Sequence, residues 1–252
     1  MQDFATELRQ WRGRRRLSQL GLAGEAGVSS RHLSFLETGR ARPSREMVLR
    51  LAEALDLPLE PRNSLLAAAG FAPFWPRRSL DDAALAPVRR ALHRMLDRHA
   101  PYPGVLLDRE WRLAAMNAPA RRLFALSGFA PGDSLLATLP ETGPGLIENW
   151  GEVGHHALVR LRAESRAAGG IDALDRAAAR LAADPAVSAH RPANPPQPFV
   201  RTRYRAGDLR LSLFSTFAQV GMGEDILLSG LKLELMFPET PADEAVLEAL
   251  SG

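Results

Sequence analysis

Apolar positions along the chain follow two rhythms, and the first governs its opening third. Between Asp3 and Arg16, Phe4, Leu8 and Trp11 recur at spacings of four and three, one stripe of a helix whose other sides are charged. Leu17-Ser18-Gln19 restarts the pattern. Ser18 is placed to accept from the free N–H groups of a second helix, Gln19 to about Ala26, and Gly27 suits the left-handed position that ends it. Ser29 then caps a third helix reaching Thr38, so only a short turn separates the two. Within it Leu33 and Leu36 face inward, joined by Val28 of the turn, which leaves Ser30, Arg31, Ser34 and Phe35 on the outward side. Val48, Leu51, Ala52 and Leu55 mark a fourth helix after Pro43-Ser44. Pro58 and Pro61 open a fifth, which carries Leu65 and Leu66 and closes at Gly70.

Phe71 to Pro76 is aromatic and proline-interrupted and reads as a hinge, followed by a helix from about Leu80 to Arg98 carrying Leu85, Val88, Leu92, Met95 and Leu96. Beyond Pro101 the rhythm changes to period two. Gly104 to Asp108 and Trp111 to Met116 read as strands around an Asp108-Arg109-Glu110 turn, with Asn117 capping a helix over Arg121, Phe124 and Leu126. Val200, Thr202 and Tyr204 alternate with Arg201, Arg203 and Arg205. Leu209, Leu211 and Leu213 alternate with Arg210 and Ser212, which predicts a hairpin turning at Gly207-Asp208. A last strand, Leu231 to Phe237, is apolar at every odd position and closes an antiparallel sheet. Helices over Leu146 to Ala168 and Ile171 to Ala183 and a proline-rich loop from Asp184 to Pro198 separate the strand groups.

The expected fold class is therefore α+β: an all-α five-helix domain at 1–70, a hinge and connecting helix at 71–100, an antiparallel sheet with covering helices at 101–240, and a tail at 241–252. Helices laid over one face of a sheet leave room for a cavity between them. Leu113, Phe124, Trp150, Leu158, Leu213 and Phe217 are the apolar candidates for its lining.

Composition narrows the function. The chain has 252 residues, enough for two modest domains, and its 46% hydrophobic and 24% charged residues are those of an ordinary globular protein. No stretch approaches the roughly 18 apolar residues of a membrane span. Met1-Gln2-Asp3-Phe4 runs directly into a charged helix without the pattern of a signal peptide, so cytoplasmic residence without membrane attachment is expected. The absence of cysteine excludes disulfides, thiolate nucleophiles and cysteine-held metals. His155-His156 is the one histidine pair, and neighbours on a helix diverge by about 100°, so no metal and no cofactor are assigned. Net charge is only +3, yet the first fifty residues hold ten arginines against five acids, a surplus suited to phosphates. The outward face of the third helix offers short polar groups and Arg31, which has the geometry to bond guanine O6 and N7.

The run from Leu17 to Ser44, with its Gly27 turn, the helix Ser29 to Thr38 and the basic loop Arg40 to Arg42, resembles the XRE family of phage-repressor-like helix-turn-helix domains. That resemblance implies roles for matching positions. Gln19 grips a phosphate or a base, Ser30, Arg31 and Phe35 match the reading contacts, and Arg40 and Arg42 touch DNA backbone; Ser29 and Ser34 join the DNA-binding candidates by their place on the same helix. It also implies that Glu37 pairs with Arg12 of the first helix as a packing device. Phe35 stands where the family often has a polar residue, and contacts a thymine methyl or tucks into the core. The order Pro101-Tyr102-Pro103, Trp111, Asn117 and a terminal strand ending Phe237-Pro238-Glu239-Thr240-Pro241 resembles the MmyB-like transcription regulators. That resemblance implies a PAS-like second domain and, separately, a fatty-acid-type ligand.

The expected function is thus a sequence-specific, non-enzymatic transcriptional regulator that binds a double-stranded operator as a homodimer and responds to a small apolar ligand. Two other classes stay open: a ligand-free interaction module such as an antitoxin, and an enzyme fused to a DNA reader. The second is disfavoured by the single lysine, Lys232, on the polar side of the last strand and by the lack of a His-x-His pattern.

Overall fold

The computed structural model of the chain describes residues 3–125, 128–129, 132–193, 195, 197–221 and 223–251. It divides into two compact units, Met1–Arg77 with Arg166–Gly170 and Gly223–Ile226, and the remainder.

In the first unit five helices follow one another: α1 (Phe4–Arg14), α2 (Gln19–Glu25), α3 (Ser30–Glu37), α4 (Arg45–Ala54) and α5 (Leu59–Ala68). Four of their starts are set by the residue just outside. Asp3, Ser18, Ser29 and Ser44 accept from the backbone N–H of Thr6, Gly21, His32 and Met47 at 2.8, 2.9, 3.1 and 3.2 Å. Each such cap contributes about 1 kcal/mol. Gly27, at φ 63°, ends α2, and the N–H of Val28 reaches back to the Ala23 carbonyl at 2.9 Å. That left-handed closure sharply turns the chain into α3. Leu8, Leu22, Leu33, Leu36, Leu51, Leu65 and Leu66 are fully buried in one core. Ser29 is the N-cap of the third helix as expected, and the helix ends one residue early because Thr38 is its C-cap.

The second unit opens with a 3₁₀ turn at Ala83–Leu85 and α6 (Ala86–Arg98), so the expected helix from Leu80 begins later, where Asp82 caps the turn. β1 (Gly104–Leu107), β2 (Leu113–Met116) and α7 (Ala118–Ala125) follow. The Asn117 carboxamide caps α7 by accepting from Ala120 N–H at 2.9 Å. Leu126, expected on this helix, lies outside the described residues. Trp111 is not in a strand: its φ of 60° places it in the left-handed region, at the end of a turn organised by Asp108, which accepts from the N–H groups of Glu110 and Arg112.

Then come α8 (Leu135–Leu146), α9 (Trp150–Ala168), α10 (Asp172–Ala183) and α11 (Pro185–Ala189), and after them β3 (Arg201–Ala206), β4 (Leu209–Gln219), α12 (Ile226–Gly230), β5 (Lys232–Pro238) and α13 (Pro241–Ser251). The strands form one antiparallel sheet in the order β2-β1-β5-β4-β3, with the predicted two-residue hairpin at Gly207-Asp208. Two expectations change. Leu146 ends α8 rather than starting the next helix, and residues 241–251 are not a tail but α13, which packs on β4, β5 and α7. Leu231 and Leu233 pack with Leu85, Leu92, Leu96 and Leu106 in a core under α6. No helix among the described residues is long and apolar enough to cross a membrane.

Candidate DNA-reading face and ligand cavity

The outward side of α3 is built by what the inward side must bury. Leu33 and Leu36 are fully buried, so Ser30 and Arg31 are exposed and Ser34 and Phe35 half-buried. The Arg31 guanidinium lies 5.5 Å from the centre of the Phe35 ring, which holds it along the helix surface. Phe35 thus neither enters the core nor stands free. Ser29 uses its hydroxyl oxygen to cap α3, and Arg40 and Arg42 are exposed on the loop that follows. Gln19, at the start of α2, donates from Nε2 to Glu37 Oε2 at 2.7 Å. One amide hydrogen is therefore committed inside the unit.

Beneath this face Glu37 is fully buried and receives a two-pronged grip from Arg12, Nε to Oε1 at 2.6 Å and Nη2 to Oε2 at 2.9 Å. Burial pushes the Glu37 carboxyl up, but the hydrogen bonds from Arg12 and Gln19 outweigh it and hold the group below its ordinary value. The pair joins α1 to the end of α3 and fixes the angle at which the reading helix is offered.

In the second unit a cavity of about 430 Å³ lies between the sheet and α7, α8 and α9. Its wall is largely apolar: Leu123, Phe124, Phe129, Leu135, Leu139, Leu146, Ile147, Val153, Phe217 and Met236 all contribute. The volume falls within the range of small-molecule sites. Helix α9 presents Val153, His156, Ala157 and Arg160 to it, the i, i+3, i+4, i+7 spacing of one helical stripe. β5 contributes Glu234 and Met236, the polar-looking side of its alternation.

A helix-turn-helix domain model matches residues 3–65, and the model of the MmyB-like transcription regulator ligand binding domain matches residues 88–250. The chain belongs to the MmyB-like transcription regulators. No curated protein matches it. Membership of this family makes it a DNA-binding transcription regulator, with its DNA reader in the first unit and its ligand-binding domain in the second.

In this MmyB-like regulator the cavity wall includes only two of the six lining candidates, Phe124 and Phe217. Trp150 and Leu158 fail because they lie on a different stripe of α9 from the one that meets the cavity. Trp150, Gly154, Leu158, Leu161 and Ser165 form its buried stripe, about 100° from the one that meets the cavity. The Trp150 indole instead donates to Asp184 at 2.9 Å. Leu113 pairs with Leu107 and is 1% exposed within the sheet, and Leu213, opposite Thr202 and Pro238, is likewise sealed at 1%.

Sequence reasoning missed the charged end of the cavity. Lys232 does not sit on a solvated face: it is buried, pairs with Glu164 and lies 4.6 Å from the centre of the Trp111 ring. Burial pulls the Lys232 ammonium below its ordinary value, against the pull of Glu164. The Glu164 carboxyl is raised by burial but lowered further by Lys232 and Arg160, for a net depression. Glu234 on the wall is raised, because burial exceeds the opposing effects of Ser215, Arg160 and Lys232. Of the arginine ladder, Arg201 pairs with Glu239, Arg203 is exposed, and Arg205 reaches the cavity rim. His156 lines the cavity while His155 meets His190, and no group of three metal-capable side chains occurs among the described residues.

Proposed function

We propose that this regulator binds a double-stranded operator as a homodimer and that a small, fatty-acid-like molecule in the second-unit cavity sets its operator affinity, with action in the cytoplasm. The observation that carries the ligand reading is the cavity itself. A structural domain with no ligand would fill the space between helices and sheet with side chains, as protein interiors normally do. Here about 430 Å³ is left open between them and walled by leucine and phenylalanine.

For the DNA reading we assign base recognition to the α3 face, Ser30, Arg31, Ser34 and Phe35, with Arg31 as the guanine reader and the Phe35 ring edge available to a thymine methyl. Ser29, Gln19, Arg40 and Arg42 are assigned to the phosphates. Ser29 retains its hydroxyl hydrogen and Gln19 its second amide hydrogen for that purpose.

Native mass spectrometry of purified protein, paired with thermal melts across a series of fatty acids, tests the ligand reading. A retained lipid-sized mass, or a rise in melting temperature with at least one acid, is the expected result. If no mass is retained and no acid stabilises, the cavity is an unfilled packing defect and the ligand reading falls.

A further inference from the structure

One end of the cavity holds a side-chain cluster that an apolar container does not require. Arg160 of α9 meets the cavity beside Trp111, Ser215, Phe217 and Glu234. Its guanidinium carbon stands 3.4 Å from the centre of the Phe217 ring and 4.9 Å from that of Trp111, so its position against the aromatic rings is fixed. Its Nε donates to Glu164 at 2.8 Å. Glu164 is itself held by Lys232 and by the Trp111 indole N–H, the latter at 2.9 Å. Ring contact and the Nε bond together restrain the guanidinium. Among the described residues its η nitrogens meet no protein acceptor. A restrained guanidinium with unused N–H groups, on a wall that is largely apolar, matches the two oxygens of a carboxylate.

We propose that Arg160 is the head-group anchor of the cavity, seating the carboxylate of a single-chain fatty acid on its η nitrogens while the chain lies along the leucine and phenylalanine wall. The inference rests on the ligand reading above and adds to it the residue and the head-group chemistry. Charge balance supports it. Arg160 and Lys232 share one carboxylate, Glu164, so these three side chains together carry one net positive charge. Glu234 is the group that would oppose an incoming carboxylate. Burial pushes its carboxyl above the ordinary value, which weakens that opposition. Arg205, the other arginine at the cavity, is exposed and lacks such a fixed setting.

Calorimetric titration of the full chain with dodecanoate, dodecanol and methyl dodecanoate, each below its aggregation limit, tests the assignment. The wild type is expected to bind the acid roughly ten- to a hundredfold more tightly than the alcohol or the ester, the worth of hydrogen bonds to a charged group. Arg160→Gln should lose that factor for the acid and leave the alcohol unchanged. Arg160→Lys, which keeps the charge but not the fork, should fall between. Equal affinity of the wild type for all three probes, or a loss common to acid and alcohol in Arg160→Gln, would overturn the anchor while leaving the cavity reading standing. If none of the three binds the wild type, the ligand reading fails and the anchor with it. Should Arg160→Gln not fold, as a melt would show, the wild-type series decides alone.

Discussion

Glu37 is a charged side chain in a place where charge is expensive, and its three hydrogen bonds explain why it stays ionised. Arg12 keeps some access to solvent, with 20% of its side chain exposed, so the pair resembles a charged hydrogen bond more than a sealed ion pair. Glu37→Gln should therefore destabilise the first unit by about 1.5–3 kcal/mol at neutral pH, measured by denaturant titration. The pH dependence has a definite sign. The folded carboxyl titrates below its ordinary value of 4.5, so its stabilisation is fully present above that pH and is lost as pH falls through the lower folded value. The gap between wild type and Glu37→Gln should close on acidification below about pH 4.5. A gap that stays constant down to the acid unfolding limit would show that geometry, not charge, accounts for the pair. On the surface of that helix and the loop after it the residues divide differently. Arg31→Ala is expected to cost about 1–3 kcal/mol on the operator and relax base preference there, whereas Arg40→Ala weakens binding to all sequences and lowers the salt slope by about one. Binding curves on operator and mutated operator at several salt concentrations separate the two, and unchanged discrimination in Arg31→Ala would show that α3 is oriented otherwise.

At the scale of elements, Asn117 ties three of them together. Its carboxamide donates to the carbonyls of Leu96 and Tyr102 at 3.0 and 2.8 Å and accepts from the N–H groups of Gly104 and Ala120 at 3.0 and 2.9 Å, joining α6, β1 and α7. Asn117 is 1% exposed, so Asn117→Ala leaves backbone groups unpaired and should cost about 3 kcal/mol or more, read as loss of melting temperature in the second unit. A cost under about 1 kcal/mol would mean that water replaces the side chain readily. Asn117 was legible as a cap from sequence because caps obey a local rule. The helices of the first unit were legible from similar local rules: serine starts for α2, α3 and α4, prolines at the start of α5, Gly27 and Gly70 as ends, and apolar stripes. The second unit resisted where neighbours overrule local pattern. α8 runs through Pro140 and Pro144, each of which removes a helix donor, so its pattern reads as loop. α9 meets the cavity with Val153, His156, Ala157 and Arg160, a stripe more polar than its buried one, so the local pattern points to the wrong face. Lys232 and Glu234 look like a solvated strand face, yet Glu164 and Arg160, more than sixty positions away along the chain, make that face an interior one.

For the whole molecule, charge is divided as the two roles require. The first fifty residues carry a surplus of five positive charges, which leaves the remaining residues at a net −2 against the chain total of +3. The positive surplus that attracts DNA phosphates thus lies in the first fifty residues, within the reader. A regulator of this design must pass a test that neither unit can meet alone. If the cavity ligand changes operator affinity by some factor, operator DNA must change ligand affinity by the same factor, because both describe one coupling free energy. Couplings of this kind usually amount to about 1–3 kcal/mol, roughly 5- to 150-fold. The measurement is a pair of isotherms on the same preparation: operator binding with and without saturating dodecanoate, and dodecanoate binding with and without saturating operator. Equal factors different from one are expected. A factor of one in both would make the cavity a site without regulatory output, and the family's ligand domain would then act in this chain through stability or assembly alone. Unequal factors would mean that the two isotherms report different assembly states, which sedimentation at matching concentrations resolves by counting chains per operator.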